Sequence, residues 1–265
     1  MRRRSFLIPI LLVLAIAALG QEPTEKELMG LKGEVKTVRR KFVEVTQKDG
    51  KPFERPIASE SLVTLDRLGR KTEESFYKPD GTLDERQVFT YDDAGNVTQK
   101  RYNSEGRLLF EATSRLEFDK DGGTSRRITD GASPLFQDEA AKLHSETVKK
   151  YDSRGRWVES LTYLRGTITS RSVNKFGEDG GLDEFILYNG AGLILQRHVR
   201  TSEGMQVSVY KDDGTLLTTE LRRKPTPSDF DAHGNWTRSV STKTLNKDGK
   251  VEEVMEVEYR VITYY

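Results

Sequence analysis

The chain has 265 residues, with 43 Lys and Arg against 42 Asp and Glu, no Cys, and only 35% hydrophobic residues. Without cysteine there is no disulfide framework, no thiolate metal site and no lipid-attachment thiol. A charge this close to balance excludes a dedicated nucleic-acid surface, which needs a clear basic excess.

The first twenty residues read as an address. Arg2, Arg3 and Arg4 form a positive head, Phe6 to Leu19 an apolar stretch, and Ala18-Leu19-Gly20 supplies small residues ahead of Gln21. Residues 1–20 are therefore expected to be a cleaved signal peptide, leaving residues 21–265 as one domain in the periplasm or the medium of a bacterium. The apolar stretch is shorter than the roughly 20 residues of a spanning helix, and Pro9 interrupts it, so an uncleaved anchor is the lesser reading. Arg3-Arg4-Ser5-Phe6-Leu7 also fits a twin-arginine signal, whereas the short head and Leu/Ile-rich core favour the general secretory route. No stable membrane insertion is expected once the signal is removed.

Thr24, with Glu27 three residues on, predicts a short capped helix. Gly33 then opens a β-branched stretch that predicts a first long strand, closed by Lys48-Asp49-Gly50-Lys51. From there thirteen turn-like glycines punctuate the chain, and nine of them have an aromatic four residues earlier. Aromatics make up 9% of the chain, so about one such coincidence is expected by chance and the spacing is a repeat. In eight of the nine an apolar residue also stands two after the Gly, as in Tyr91, Gly95 and Val97 or Tyr102, Gly106 and Leu108. Gly supplies the positive φ of a type I turn with a following bulge, and the flanking pair then meets across the hairpin. Intervals of 10 to 16 residues leave room for one strand and one turn each, which predicts an antiparallel meander.

Two places break the rhythm. Ser133-Pro134 followed by Phe136, Ala140 and Leu143 at helical spacing predicts a helical or loop insertion over about 131–147. Lys224-Pro225-Thr226-Pro227-Ser228-Asp229 predicts an extended loop, because neither proline can donate to a ladder. The chain ends in a long hairpin turning at Gly249.

The motif Tyr-Asp-x-x-Gly-Asn/Arg-apolar stands at Tyr91-Asp92-Asp93-Ala94-Gly95-Asn96-Val97, Tyr151-Asp152-Ser153-Arg154-Gly155-Arg156-Trp157 and, with Phe, at Phe230-Asp231-Ala232-His233-Gly234-Asn235-Trp236. It resembles the tyrosine-aspartate (Rhs) repeat family over about residues 65 to 251. The resemblance implies an all-β antiparallel sheet that curls or spirals, and a binding or structural role at the cell exterior. The chain departs from the large members in its size, in lacking the conserved-core segment that precedes their toxic C-terminal domain, and in ending in an expected strand, and it looks more like short exported proteins with a few such repeats.

Chemistry is sparse. The carboxylates are scattered through turns with no recurring acid and base pair, so no catalytic residue, no cofactor and no metal ligand is nominated and the chain is read as a non-enzyme. Asp119-Lys120-Asp121-Gly122 and Lys211-Asp212-Asp213-Gly214 echo calcium loops without the closing Glu, and turn chemistry accounts for them. His144, His198 and His233 are far apart in sequence. Asn96-Val97-Thr98 and Asn235-Trp236-Thr237 fit a glycosylation pattern that Asn in a turn explains as chance. Trp157 and Trp236 are the candidates for ligand contact, since a Trp on a β-face stacks on sugar rings; both also occupy the repeat's apolar position, where core packing competes.

The leading expectation is an exported module binding envelope polysaccharide or protein. The alternative is an outer-membrane β-barrel, suggested by Val257, Tyr259, Val261, Thr263 and Tyr265 alternating to an aromatic end; a hydrolase built on the scattered carboxylates ranks below both. Charged first and last strands, carrying Arg39, Arg40, Lys41, Glu256, Glu258 and Arg260, are expected at exposed sheet edges, blunting edge pairing and favouring a monomer or a weak dimer.

Overall fold

The computed structural model describes residues 23–48, 51–134, 142–247 and 250–265. The signal stretch 1–20 and the tips at Gly50 and Gly249 lie outside these residues. A four-residue helix, α1 (Glu25–Leu28), starts as expected: the Thr24 hydroxyl accepts from the Glu27 N–H, and the Glu27 carboxylate accepts from the Thr24 N–H at 2.7 Å.

The rest is strand. The first five are β1 (Val35–Lys48), β2 (Lys51–Leu65), β3 (Lys71–Tyr77), β4 (Leu83–Tyr91) and β5 (Val97–Asn103). Next come β6 (Leu108–Phe118), β7 (Thr124–Ala132), β8 (Leu143–Tyr151), β9 (Trp157–Leu164), β10 (Thr167–Phe176) and β11 (Leu182–Asn189). The last five are β12 (Ile194–Arg200), β13 (Gly204–Tyr210), β14 (Leu216–Arg223), β15 (Arg238–Lys247) and β16 (Lys250–Tyr264). Each strand pairs antiparallel with the next, and β16 pairs antiparallel with β1, so the sixteen strands among the described residues form a closed barrel.

Closure corrects the expected curled or spiralling sheet. The supposed edge strands pair with each other, with Arg40 opposite Arg260 and Val43 opposite Val257, so their charges border no edge. The insertion expected over 131–147 shrinks as well: β7 runs to Ala132 and β8 begins at Leu143, while 135–141 lie outside the described residues. The two-proline stretch between β14 and β15 is a connection with a single 3₁₀ turn at Pro227–Asp229.

The repeat does what its spacing requires. All eight aromatic and apolar pairs face each other across their turns, among them Tyr91 and Val97, Tyr151 and Trp157, and Tyr210 and Leu216, with Phe230 and Trp236 joined by an isolated bridge. At the type turn, Gly95 has φ +81°, its N–H donates to Asp92 O at 3.0 Å, and Asp92 Oδ1 accepts from the Asn96 N–H at 2.8 Å. Hydrogen bonds from the Asn96 side chain, then from its N–H, hold the Asp92 carboxyl below its usual range. The two calcium-like stretches are turns of the same kind, with the Gly122 N–H donating to Asp119 O and the Gly214 N–H to Lys211 O.

The same chiral turn is used at both ends of the barrel, and the strand direction reverses between them. Its aromatic therefore changes face. By register, Tyr91, Phe118 and Tyr151 of the lower hairpins share one face, while Tyr77, Tyr102, Tyr188 and Tyr210 of the upper hairpins share the other. Arg39, Arg86 and Arg171 lie over three of these upper rings at 5.4–5.7 Å.

Which face is inside follows from crowding. Neighbours converge on the concave side of a curved sheet and splay apart on the convex side. Ten buried side chains, Val38, Ser61, Val63, Glu74, Ala112, Ser125, Ser160, Ser172, Asn174 and Val207, share one face by register, against four on the other, Val43, Ser75, Ile128 and Val257. The face with the ten lines the lumen. The other carries Thr113, Arg115, Glu117, Arg126, Lys150, Arg171, Lys175 and Arg197 in solvent. Ion pairs lace it from strand to strand, as where Glu159 meets Lys150 at 2.8 Å and Arg171 at 2.7 Å.

Barrels of this strand number leave a watery channel rather than a core filled by side chains. Among the described residues only ten apolar side chains are buried. Five of them, Leu31, Val35, Val38, Val63 and Leu65, form one cluster with Met29, Ile262 and Tyr264, where the N-terminal segment packs against the lower end of the β16–β1–β2 wall. Asn235, only 2% exposed, fixes that segment: its Oδ1 accepts from the Lys32 N–H at 2.6 Å, and its Nδ2 donates to Lys32 O and to the Tyr264 hydroxyl.

Candidate functional site

On the lumen wall formed by β1, β14, β15 and β16 lies a cavity of about 580 Å³. The register explains its lining: Arg40 stands opposite Arg260, Ser239 opposite Glu258, Ser241 opposite both Glu256 and Arg222, and Glu220 opposite Lys243. Each is an alternate residue of a strand, so the period of two gathers these charges on the wet inner face.

Trp236 sits at the lower end of this wall, brought there by the bridge to Phe230 just before β15. The Arg260 guanidinium lies over its ring, 3.2 Å from the ring centre. Arg260 Nε donates to Glu258 at 3.2 Å, and its Nη1 is enclosed without a hydrogen-bond partner among the described residues. The side chain is 9% exposed, and burial pushes its pKa below the usual guanidinium value. A buried N–H on a charged group without an acceptor is the kind of group a ligand completes.

Most other charges here are matched. Arg222 Nε meets Glu220 at 3.0 Å, Lys243 meets Glu256, and Glu74 is shared by Lys71 at 2.8 Å and Arg40 at 3.4 Å. Among the described residues of this patch five cations, Arg40, Lys71, Arg222, Lys243 and Arg260, stand against the carboxylates of Glu74, Glu220, Glu256 and Glu258, leaving one positive charge over.

Trp157 faces the same lumen on β9. Its ring meets Phe185 edge-on at 6.4 Å, Phe185 meets His198 at 5.0 Å, and Lys149 Nζ lies 6.0 Å from its centre. The Trp157 carbonyl accepts from Asn174 Nδ2 at 2.9 Å. His198 Nε2 is buried with no hydrogen-bond partner among the described residues, and burial lowers the imidazole pKa.

Both tryptophans singled out from the sequence thus stand on the lumen face, half-buried, in two separate clusters. What the sequence did not single out is Arg260 and His198. Arg260 closes the run Glu256, Glu258, Arg260, which reads as a solvated strand until β1 is known to cover that side. The three histidines do not converge: His144 pairs with Asp130 at 2.7 Å and His233 stacks on Tyr264. Among the described residues no three His, Asp or Glu side chains cluster at metal-binding distance. The buried Asn235 explains its own Asn-Trp-Thr sequence as structural.

No family model matches the chain, and no curated protein is significantly similar to it in sequence. Among solved structures it is similar in outline to a porin-like protein from Bacteroides uniformis ATCC 8492, with 12% identity, a TM-score of 0.46, and coverage of 91% of this chain and 98% of that one. A DUF1329 family protein from Desulfovibrio piger ATCC 29098 aligns at 10% identity and a TM-score of 0.27, covering 87% of this chain and 86% of the other.

Proposed function

We propose that the chain is an exported barrel of the outer-membrane type in architecture, working at the bacterial envelope with its lumen wall as the binding surface. The antiparallel seam between β1 and β16 carries this reading, because it turns a meander with two edges into a closed vessel with an inside. The tyrosine-aspartate resemblance then belongs to the turns: a hairpin device that a barrel uses as readily as a spiral. Among the described residues of the lumen wall the charges are mostly paired with one another, as Arg222 with Glu220 and Lys243 with Glu256, and binding accounts for this chemistry better than catalysis does.

The outer face bears on depth in the membrane. A lipid-spanning barrel needs an apolar band about 25 Å tall, and each Lys or Arg at its middle costs about 2–4 kcal/mol. Arg126, Lys150, Arg171, Lys175 and Arg197 all stand on the convex face, Arg171 and Arg197 at mid-strand and the others toward the lower end. The apolar exposure is toward the two ends instead: Leu164, Ile168, Leu193, Leu216 and Leu217 at the upper rim are 41–48% exposed, and Leu68, Phe230, Val261 and Tyr265 toward the lower end are 41–68% exposed. Charged residues on the outer wall, with no continuous apolar band among the described residues, favour a peripheral envelope barrel over a spanning pore. Fractionation followed by carbonate extraction tests it. A peripheral barrel is released from washed envelopes and its mature form starts at Gln21; retention in the pellet would establish the spanning reading, and a cytoplasmic unprocessed chain would end both.

A further inference from the structure

We infer that the wall around Arg260 and Trp236 is a binding site for a sugar-sized organic monoanion, a carboxylate carried on a hydroxylated ring. This rests on the reading of the lumen as the binding surface and goes beyond it in naming the ligand chemistry.

Four observations converge. Arg260 is more than nine-tenths buried, and its Nη1 has no acceptor among the described residues although Glu258 already holds Nε. A carboxylate supplies that acceptor in the geometry guanidinium groups favour. Next, the patch has one positive charge in surplus, which one negative charge neutralises; a phosphate dianion would meet Glu220, Glu256 and Glu258 with a charge left over. Third, the cavity of about 580 Å³ suits a ligand of monosaccharide or disaccharide size. Fourth, Ser239 and Ser241 of β15 line the cavity beside the acids, and with them can hydrogen-bond ring hydroxyls.

Trp236 shields the guanidinium. A carboxylate that reaches the enclosed Nη1 disturbs the guanidinium packed on this ring, so binding has to change the environment of the indole. The chain contains two tryptophans, so replacing Trp157 with Phe leaves Trp236 as the sole reporter.

The experiment titrates the mature Trp157→Phe protein with glucuronate, glucose and glucose 6-phosphate, following indole fluorescence. A saturable change with glucuronate, with glucose at least about tenfold weaker, is the expected result, as is a further loss of about tenfold to a hundredfold in Arg260→Met. Arg197→Met, on the outer face, should bind glucuronate unchanged. Equal binding of glucose and glucuronate, tighter binding of the phosphate, no saturable change with any probe, or full affinity in folded Arg260→Met would each overturn the assignment. The selectivity of the unmutated site decides the matter even if Arg260→Met fails to fold. A cysteine bridge across the β1–β16 seam, run in parallel, separates the two failures: if the bridge forms and glucuronate does not bind, the ligand is wrong and the barrel stands; if the bridge fails, the lumen itself is wrong.

Discussion

Replacing Val43 and Val257 with cysteine tests the seam directly. The two residues stand opposite each other on β1 and β16, each 1% exposed, and the chain has no other cysteine to compete. Directly opposed residues of antiparallel strands have Cα atoms about 4.5–5.5 Å apart, within reach of a disulfide. An open ribbon of sixteen strands at about 4.8 Å spacing could instead hold its first and last strands some 70 Å apart. Closing a loop of roughly 215 residues gives about 5 kcal/mol by chain entropy, the upper end of what such bridges deliver. At about 2–4 °C per kcal/mol for a domain of this size, the oxidised form should melt about 10–20 °C above its reduced form. Comparing oxidised with reduced protein cancels the cost of the two substitutions. The assay is gel mobility without reductant, followed by thermal unfolding monitored by circular dichroism. A well-folded double variant that stays reduced under mild oxidation, or crosslinks only between molecules, would refute the closed seam.

At Gly95 nothing lies within 4 Å of where a Cβ would stand, so Gly95→Ala should cost about 1–2 kcal/mol through its φ of +81° alone, and Gly95→Asn less, as urea unfolding would read; equal costs would mean the loss is not conformational. Asn235→Ala should lose about 2–4 kcal/mol and expose the chain near Lys32 to trypsin, since three hydrogen bonds to that segment and to Tyr264 go with it; unchanged cleavage would contradict the clamp. Burial depresses the His198 pKa, so the unfolded chain binds this proton more readily and stability should fall as pH drops through about 6.5 toward the lower folded value. His198→Gln should flatten that window in urea midpoints measured from pH 7.5 to 5. A second decline should come below about pH 4, where Asp92, held low by Asn96, and Asp152, held low by the Arg156 side chain, take up protons more readily in the unfolded chain.

The turns were legible because they are local. Tyr91, Gly95 and Val97 lie within seven residues, and each repeat states its own hairpin, so every aromatic and apolar pair found its partner. Closure is another kind of fact. It joins Val38 to Ile262 and Val43 to Val257, across more than two hundred residues, and the pattern that would announce it is blurred by the register shift between Val35 and Thr37. Strand parity alone could not tell inside from outside, since Arg40, Glu256 and Arg260 look as soluble as Arg171 and Lys175. Curvature makes the difference: it crowds the first group over the cavity and spreads the second into water. For the same reason the tryptophans could be nominated from residue type, while Arg260 needed the neighbouring strand on its far side to become a buried cation with a donor to spare.

The alternation of the hairpin aromatics between the two faces has a consequence for how such a vessel can change over time. Inserting or deleting one strand would invert every residue beyond it, sending the lumen charges outward and the surface charges in, and would bring the last strand back parallel to the first. A two-strand duplication leaves every later side chain on its own side and keeps the closing ladder antiparallel. The smallest heritable step in this architecture is therefore a complete hairpin, and descendants of this chain should differ from it by even numbers of strands.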